Sequence, residues 1–228
     1  MANVTVGVNP TSIVYDSTVY QIFVAAVGAN EVDIVSASNN TVVGPIQVGN
    51  YALGLAYDPA KGEIFNANTN DNSVVVLLDT SESIVTTVQF PIGTYPYGLA
   101  YNSASGEILV ANEGTTNLVA VISDSTNAVV ANVTAGNTPQ FLAYDSANSE
   151  IFATNKGSNT VSVISESAIA SASPSPAASP TSSSTASPSP SPTVPEFGGA
   201  TLVSLVAAIL VVTVFAVAMT KKARKASV

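Results

Sequence analysis

The side chains of this sequence that could do chemistry are carboxylates, hydroxyls and a few bases. The 228 residues include no Cys and no His, which excludes thiolate or imidazole metal sites and imidazole general bases. Asp71, Glu113 and Glu31 could offer oxygen ligands to calcium, but the loop NTNDNS at 68–73 lacks the spacing of a dedicated calcium loop. The sequence also lacks a glycine-rich phosphate loop and a nucleophile elbow. We therefore predict no catalytic residue, no metal site, no cofactor and a protein that is not an enzyme.

The elements that must position any binding residues come from an internal repeat. Four tyrosines, each ending a similar apolar string, stand 42, 44 and 43 residues apart. Each repeat holds four short β-branched runs separated by Gly, Asn, Asp or Pro turn signals, which is typical of a propeller blade. A sandwich would not predict a fixed period, and a solenoid coil usually needs fewer residues. The tyrosines are Tyr15, Tyr57, Tyr101 and Tyr144.

The repeat predicts an all-β propeller of four four-stranded blades within residues 1–166. The predicted blades span about 7–48, 49–92, 93–135 and 136–165. One tyrosine per blade at a strand end indicates packing between neighbouring blades. Asn68, Asn112, Asn155, Asn30, Asn72 and Asn159 are predicted at the turns between second and third strands, where Asn tolerates left-handed backbone. Asp16, Asp58 and Asp145 follow the tyrosines and suit Asx-turns better than acid catalysis.

These repeats resemble the YVTN family of propeller repeats, which includes archaeal surface-layer-like proteins. The resemblance is carried by GVNP, GTYP and GNTP at the openings, by IFVAA, IFNAN, ILVAN and IFATN, and by NTVSVIS at 159–165. Ala52 departs from the opening proline and Ala26 from the closing asparagine. The resemblance implies that seven blades are more usual. Because some related propellers act as lactonases or cofactor-dependent dehydrogenases, it also leaves a propeller enzyme as the alternative function.

The ends of the repeat region leave two architectures open. ANVTVG at 2–7 resembles ANVTAG at 131–136, so 2–6 has the sequence of a fourth strand, whereas the last repeat stops after three strands at Ser165. Residues 2–6 could close a small ring by pairing with the last blade. Alternatively the chain is a fragment of a larger propeller and forms a partial arc with apolar end faces prone to self-association. The missing secretion leader before Val4 favours a truncated N-terminus.

The C-terminal third predicts a surface anchor. Residues 170–193 are all Ser, Ala, Pro or Thr, so 167–195 is predicted to be an extended stalk. The uncharged apolar run within 196–220 is long enough to cross about 30 Å of hydrocarbon as one transmembrane helix. The basic tail at 221–228 follows and predicts a cytoplasmic C-terminus with the propeller outside the cell membrane.

A tripeptide before the apolar run resembles the PEF-CTERM sorting signal of archaeal surface proteins. Pro195, Glu196 and Phe197 match it and precede the apolar span and basic cluster that complete the pattern. The resemblance implies cleavage by an archaeosortase and a different final anchor. A permanent transmembrane helix is the alternative.

Charge and rim residues indicate the class of partner. Residues 1–199 carry all 15 acidic residues against Lys61 and Lys156. This negative charge disfavours nucleic acid as a partner. Aromatic and polar residues in the loops of one rim suit a protein or glycan at the cell surface. We therefore expect a membrane-anchored binding, adhesion or scaffold module. The expected ligand-binding residues are Tyr51, Tyr95, Tyr97, Asn70, Asp71 and Glu113, and the sequons for N-glycosylation are Asn3, Asn39 and Asn132.

Overall fold

The computed structural model describes residues 3–172. The described chain is all-β apart from short helical turns, and its strands form four antiparallel sheets. The predicted transmembrane segment 196–220, the basic tail 221–228 and the sorting tripeptide lie outside the described residues. Within residues 3–172, no helix is long and apolar enough to cross a membrane.

Each sheet is an antiparallel meander built from one sequence repeat, and we call the four sheets blades 1 to 4. Blade 1 comprises β1 (Pro10–Asp16), β2 (Gln21–Ala26), β3 (Glu31–Ser36) and β4 (Thr41–Gln47). Blade 2 comprises β5 (Ala52–Asp58), β6 (Glu63–Asn68), β7 (Ser73–Leu78) and β8 (Ser83–Gln89). Blade 3 comprises β9 (Pro96–Asn102), β10 (Glu107–Asn112), β11 (Leu118–Ser123) and β12 (Ala128–Thr134). Blade 4 comprises β13 (Pro139–Asp145), β14 (Glu150–Asn155) and β15 (Thr160–Ser165).

The blades follow one another around a shared hollow. Their first strands pack in chain order, β1 against β5, β5 against β9 and β9 against β13, and together these four strands line a hollow of about 270 Å³. No comparable packing joins β13 back to β1 in the part of the chain that the structure describes. The blades therefore form an arc with two end blades.

Apolar cores between neighbouring blades hold the arc together. In the core between blades 1 and 2, Phe23 and Ile34 of blade 1 pack with Leu55 and Leu77 of blade 2. The same strand positions fill the cores between blades 2 and 3 and between blades 3 and 4. Burying an aliphatic or aromatic side chain of this size contributes about 1.5–3 kcal/mol.

The repeated tyrosines take the predicted place between blades. Tyr57, Tyr101 and Tyr144 each pack against the core that joins their blade to the one before it. Tyr15 has no blade before it and is 51% exposed. The difference confirms that these side chains are buried by the neighbouring blade and not by their own sheet.

The turn predictions are confirmed in part. Asp16 Oδ1 accepts hydrogen bonds from the amide and hydroxyl of Thr18, and the equivalent Asp58 and Asp145 accept the amide two residues on, as Asx-turns require. Asn30, Asn72 and Asn159 have φ values of 59°, 51° and 54° at the turns between second and third strands. Asn68, Asn112 and Asn155 end the second strands instead and are buried there.

One of those buried asparagines explains the glycine that opens a repeat. Asn155 Oδ1 accepts the Gly136 amide at 3.1 Å, and a Cβ built on Gly136 would lie 2.6 Å from Asn155 Nδ2. A side chain at that position would displace the amide group, so the glycine of GNTP and the asparagine of IFATN depend on each other. In blade 1, where Ala26 replaces the asparagine, the Gly7 amide donates to Asp33 Oδ2 at 2.7 Å.

Both ends of the repeat region differ from a complete blade. The fourth sheet has three strands, and residues 3–6 are not part of any strand. After β15 the chain forms a short helix, α1 (Glu166–Ser171), whose Ile169 is buried in the core between blades 3 and 4. The folded part therefore continues past residue 166, into the first residues that the sequence assigned to the stalk.

The packing between blades predicts that two isoleucines of blade 2 contribute very different amounts to the free energy of unfolding. Ile64→Ala empties a fully buried position between blades 1 and 2 and should lower the free energy of unfolding by about 2–5 kcal/mol. Ile84→Ala, at a position of β8 that is 45% exposed, should change it by less than about 0.5 kcal/mol. Urea unfolding followed by circular dichroism measures both, and equal losses would contradict the packing described.

Candidate functional site

Five of the six predicted rim residues lie where the loop that enters a blade meets the turn between that blade's second and third strands, whereas Tyr97 lies in β9 and not in a loop. In blade 2 the carbonyl oxygens of Asn50 and Tyr51 accept the amides of Asn70 and Thr69, at 3.3 and 3.2 Å. In blade 3 the carbonyl oxygen of Tyr95 accepts the Glu113 amide at 2.9 Å. These backbone bonds pair Tyr51 with Thr69 and Asn50 with Asn70 in blade 2, and Tyr95 with Glu113 in blade 3.

An asparagine of the preceding blade holds Tyr51 and another holds Tyr95. Asn30 Oδ1 accepts the Tyr51 amide at 2.9 Å, and Asn72 Oδ1 accepts the Tyr95 amide at 3.2 Å. Tyr51 and Tyr95 have φ values of 64° and 49°, which are unusual for an aromatic residue. Asn9 and Thr138 have the same conformation at the equivalent positions, so it belongs to the repeat and not to one site.

A groove between blades 3 and 4 opens on this rim. It has a volume of about 650 Å³ and is lined by Tyr95 and Glu113, by the amide side chains of Asn117 and Asn137, and by Thr138. Asn117 Nδ2 donates to Asn137 Oδ1 at 3.1 Å, which fixes the two amides side by side. The groove therefore presents an exposed aromatic ring beside several hydrogen-bonding groups.

Glu113 is the charged centre of this groove. Its Oε1 accepts a hydrogen bond from Gln140 Nε2 at 2.6 Å and lies 3.6 Å from Lys156 Nζ. Lys156 and Gln140 belong to blade 4, so the carboxylate also joins the two blades across the groove. The exposed lysine contact contributes little stability by itself, about 0–1 kcal/mol.

Tyr97 connects the rim with the central hollow. Its ring meets Phe141 edge to face, with 5.3 Å between centroids, and both rings line the hollow formed by the first strands. Burial raises the pKa of Tyr97, and the nearby Glu113 and Tyr51 raise it further. Tyr51, Tyr97 and Glu113 are therefore close enough to interact electrostatically.

The carboxylate of Asp71 has a local role in the blade 2 loop. Its Oδ2 accepts the Asn50 amide and its Oδ1 accepts Asn50 Nδ2, both at 2.7 Å. Glu31 accepts Gln47 Nε2 within blade 1 in the same way, at 2.7 Å. Among residues 3–172, no three acidic residues come together as a metal-binding group. The structure thus distributes Asp71, Glu113 and Glu31 over three blades.

A cavity between blades 2 and 3 has no counterpart among the predicted sites. It has a volume of about 350 Å³, and the buried Asn112 lines it with an Oδ1 that has no hydrogen-bond partner among the described residues. The entering loop of blade 3 contains the string FPIG, and the spacing of 44 residues between Tyr57 and Tyr101 is the only sequence signal of this longer loop. The other lining residues include Phe90, Pro91, Thr94, Val129 and Asn132.

The three sequons differ in accessibility. Asn3 and Asn39 are exposed, and Asn39 Oδ1 accepts the Thr41 amide and hydroxyl at 3.2 and 2.7 Å. Asn132 lies in β12, is half-buried and lines the cavity between blades 2 and 3. A glycan is therefore more easily accommodated at Asn3 or Asn39 than at Asn132.

Buried carboxylates meet on the side of blades 1 and 2 where the tyrosines pack. Asp16 and Asp79 are both buried and lie beside Tyr57. Burial and the adjacent Asp16 raise the pKa of Asp79, whereas hydrogen bonds from Thr18 lower the pKa of Asp16 in spite of its burial. Burial together with Asp16 raises the pKa of Tyr57 to about 12, so its hydroxyl stays protonated near neutral pH.

Comparison with solved structures shows a propeller-like fold. The chain is similar to a structure titled Kuenenia stuttgartiensis Hydrazine Synthase, at 19% identity and a TM-score of 0.64, over 72% of this chain and 48% of that one. It is also similar to U3-55K, at 11% identity and a TM-score of 0.55, over 71% of this chain and 53% of that one. The chain thus matches about half the length of each, and at these identities the likeness is one of fold.

Comparisons by sequence add no family. No protein-family model matches the chain, and no curated protein matches it. The sheets and the two similar structures together show that the described part is an all-β, propeller-like protein.

The raised pKa of Asp79 predicts that the contribution of this residue to stability grows on acidification. The folded state holds the Asp79 proton more tightly than the unfolded state, so this contribution is complete below about pH 4 and is lost as pH rises through the raised pKa. Asp79→Asn removes the buried charge and should raise the melting temperature at pH 7. It should also reduce the part of the difference in melting temperature between pH 4 and pH 7 that comes from Asp79. Thermal melts across this range measure the effect.

Asp145→Asn is the control for this experiment. Hydrogen bonds from Asn148 and from the Ala147 amide lower the pKa of the half-buried Asp145, so its charged form favours folding. Asp145→Asn should therefore give no gain at pH 7. An Asp79→Asn protein that melts at or below the parent temperature at pH 7 would contradict the buried repulsion.

Proposed function

We propose that this protein is a non-catalytic binding module displayed at the outer surface of a cell membrane, where it acts in adhesion or as a scaffold. The sequence order supports the anchoring: a Ser/Pro/Ala/Thr stalk, an apolar run within 196–220, and a basic tail that favours the cytoplasmic side. The stalk would hold the propeller away from the lipid, because a proline-rich chain extends by about 3.1 Å per residue.

The single observation that carries the binding role is the polar groove between blades 3 and 4. Tyr95 offers an exposed ring, while Asn117, Asn137 and Glu113 offer amide and carboxylate groups beside it. A saccharide chain matches this combination, because the apolar face of a sugar ring stacks on tyrosine while its hydroxyls bond to amides and carboxylates. We therefore favour a surface glycan as the ligand over an apolar protein patch.

The charge of residues 1–199, the part proposed to lie outside the cell, narrows the choice of ligand further. Residues 1–199 carry 15 acidic residues against two lysines, a net charge of −13. An anionic polymer would be repelled from such a surface. Neutral glycans, or glycans bearing amino groups, fit this charge.

The sorting tripeptide gives the anchor two alternative fates. Under the PEF-CTERM resemblance, Pro195, Glu196 and Phe197 direct removal of the apolar segment, and the stalk is then held by another anchor. Without cleavage the segment remains as a single transmembrane helix. The intact mass of the protein recovered from its native membrane distinguishes them, because cleavage near residue 197 removes about 30 residues.

The groove predicts that replacing its tyrosine weakens glycan binding without unfolding the protein. Tyr95→Asn removes the ring but suits the positive φ, since Asn9 occupies the equivalent position. Its affinity for immobilised neutral oligosaccharides should fall at least about tenfold, because a central aromatic contact is worth about 2 kcal/mol or more. Biolayer interferometry on an oligosaccharide panel measures the loss.

Tyr20→Asn is the matched control. Tyr20 is exposed and also has a positive φ, but it stands in the turn between β1 and β2, outside the groove. Its substitution should leave the affinity unchanged. The proposal fails if no oligosaccharide of the panel binds, or if Tyr20→Asn weakens binding as much as Tyr95→Asn does.

A further inference from the structure

The asparagine that ends the second strand of a blade is bonded differently in blades 3 and 4. In blade 4, Asn155 Oδ1 accepts the Gly136 amide at 3.1 Å. Asn155 Nδ2 donates to the hydroxyls of Thr160 and Ser162, at 3.1 and 2.9 Å. Asn112 ends the second strand of blade 3 and is 1% exposed, but its Oδ1 has no partner among the described residues. Because a buried acceptor without a donor costs free energy, this position favours a ligand that brings a donor.

The loop that enters blade 3 explains the difference. Gly93 opens GTYP as Gly136 opens GNTP, but the Gly93 amide donates to Asn72 Oδ1 of blade 2 at 2.9 Å. Gly93 has a φ of 87°, and a Cβ built on it would meet nothing within 4 Å. A Cβ built on Gly136 would instead lie 2.6 Å from Asn155 Nδ2. The entering loop of blade 3 therefore stands away from Asn112, beside the cavity of about 350 Å³ between blades 2 and 3.

In blade 2 the equivalent asparagine is covered. Asn68 Oδ1 and Nδ2 also have no partner among the described residues, but Gly49 of the entering loop lies directly against this amide. A Cβ built on Gly49 would be 2.8 Å from Asn68 Nδ2, which leaves no room for a ligand between them. Blade 3 thus differs from blade 2 in the open space beside its asparagine.

A second acceptor lies at the other end of the cavity. Asn127, in the turn between β11 and β12, lines the cavity, and its buried Oδ1 has no partner among the described residues. Asn112 and Leu118 line the opposite end, where β10 ends and β11 begins. Val129 and Asn132 of β12 line the part between. The cavity is therefore elongated and follows β12 from one acceptor to the other.

The lining between the two acceptors is mainly apolar and carries no charge. Val88 and Phe90 line it on the blade 2 side, and Val129 lines it on the blade 3 side. None of the lining residues is Asp, Glu, Lys or Arg, so a charged ligand would be buried without a counter-ion, which is unfavourable. The volume lies at the lower end of the range for small-molecule pockets, about 300–1,000 Å³. The cavity thus suits a small uncharged molecule.

We propose that this cavity binds a small, elongated, uncharged molecule with an apolar middle and a hydroxyl or amide N–H donor at each end. One donor binds Asn112 Oδ1 and the other binds Asn127 Oδ1. Val88, Phe90 and Val129 pack on the apolar middle. The cavity shares no lining residue with the groove between blades 3 and 4, so this binding function is separate from the proposed glycan site.

Thermal melts test whether Asn112 serves the fold or a ligand. Asn112→Leu removes an acceptor that the fold does not use, so the melting temperature of the full chain in lipid nanodiscs should stay unchanged or rise. Asn155→Leu is the matched control. It leaves the Gly136 amide unpaired and should lower the melting temperature by about 2 °C or more. An equal loss in both variants would contradict the proposal, because Asn112 would then be a structural residue.

Binding is tested with octanediol, which has a hydroxyl at each end of its chain, and with its dimethyl ether, which has the same apolar middle but no donor. Saturation-transfer NMR titrations on the full chain in lipid nanodiscs, corrected with empty nanodiscs, measure both affinities. Octanediol should bind saturably, and the ether should bind at least about tenfold more weakly because it leaves both acceptors unpaired. Asn112→Leu should weaken octanediol binding at least about fivefold and should reduce the difference between the two probes.

Two tryptophan substitutions in β8 locate the binding. Thr87→Trp, at an exposed position that lines the cavity, should fill the space and abolish saturable binding of octanediol. Val85→Trp, at an exposed position of the same strand outside the lining, should leave the affinity unchanged. Three results would overturn the proposal: octanediol binding that does not saturate, an ether that binds equally well, and octanediol binding that survives Thr87→Trp.

Discussion

The burial of one blade's apolar face by the next is the interaction on which this structure depends. A four-stranded antiparallel sheet of about 40 residues cannot bury its own apolar side chains on both faces. Here Ile34 of blade 1 and Leu77 of blade 2 are fully buried only because the two sheets stack. Stability is then close to a sum of blade and interface contributions, as in other repeat proteins.

The same stacking builds the rim. Asn30 and Asn72 reach from one blade to the entering loop of the next, and their amides hold Tyr51 and Tyr95 in a conformation that aromatic residues rarely adopt. The groove with Glu113 opens where two such loops meet, between blades 3 and 4. Binding residues of this rim are thus placed by contacts between blades.

Two buried carboxylates with opposite pKa shifts lie at the junction between blades 1 and 2. Asp79 is brought against Asp16 by the stacking of blades 1 and 2, which raises the pKa of Asp79, while Thr18 supports the charged form of Asp16 locally. Such a pair costs stability near neutral pH, and the apolar core of the same junction outweighs it. The pair lies among buried residues and away from the groove. We therefore interpret it as a consequence of blade stacking.

The sequence by itself determined the repeat, the all-β class, the tyrosines between blades and the Asx-turns, because these depend on local period and on residues two or three apart. It did not reveal that Asn50 holds Asp71 or that Asp79 meets Asp16, and it did not show the cavity beside Asn112. The Asn50–Asp71 contact depends on how the entering loop of blade 2 lies against the turn between β6 and β7, and the other two features depend on how far one blade is shifted and rotated against the next. Only the tertiary structure decides that geometry, since it is set by packing between side chains that lie about 20 to 60 residues apart.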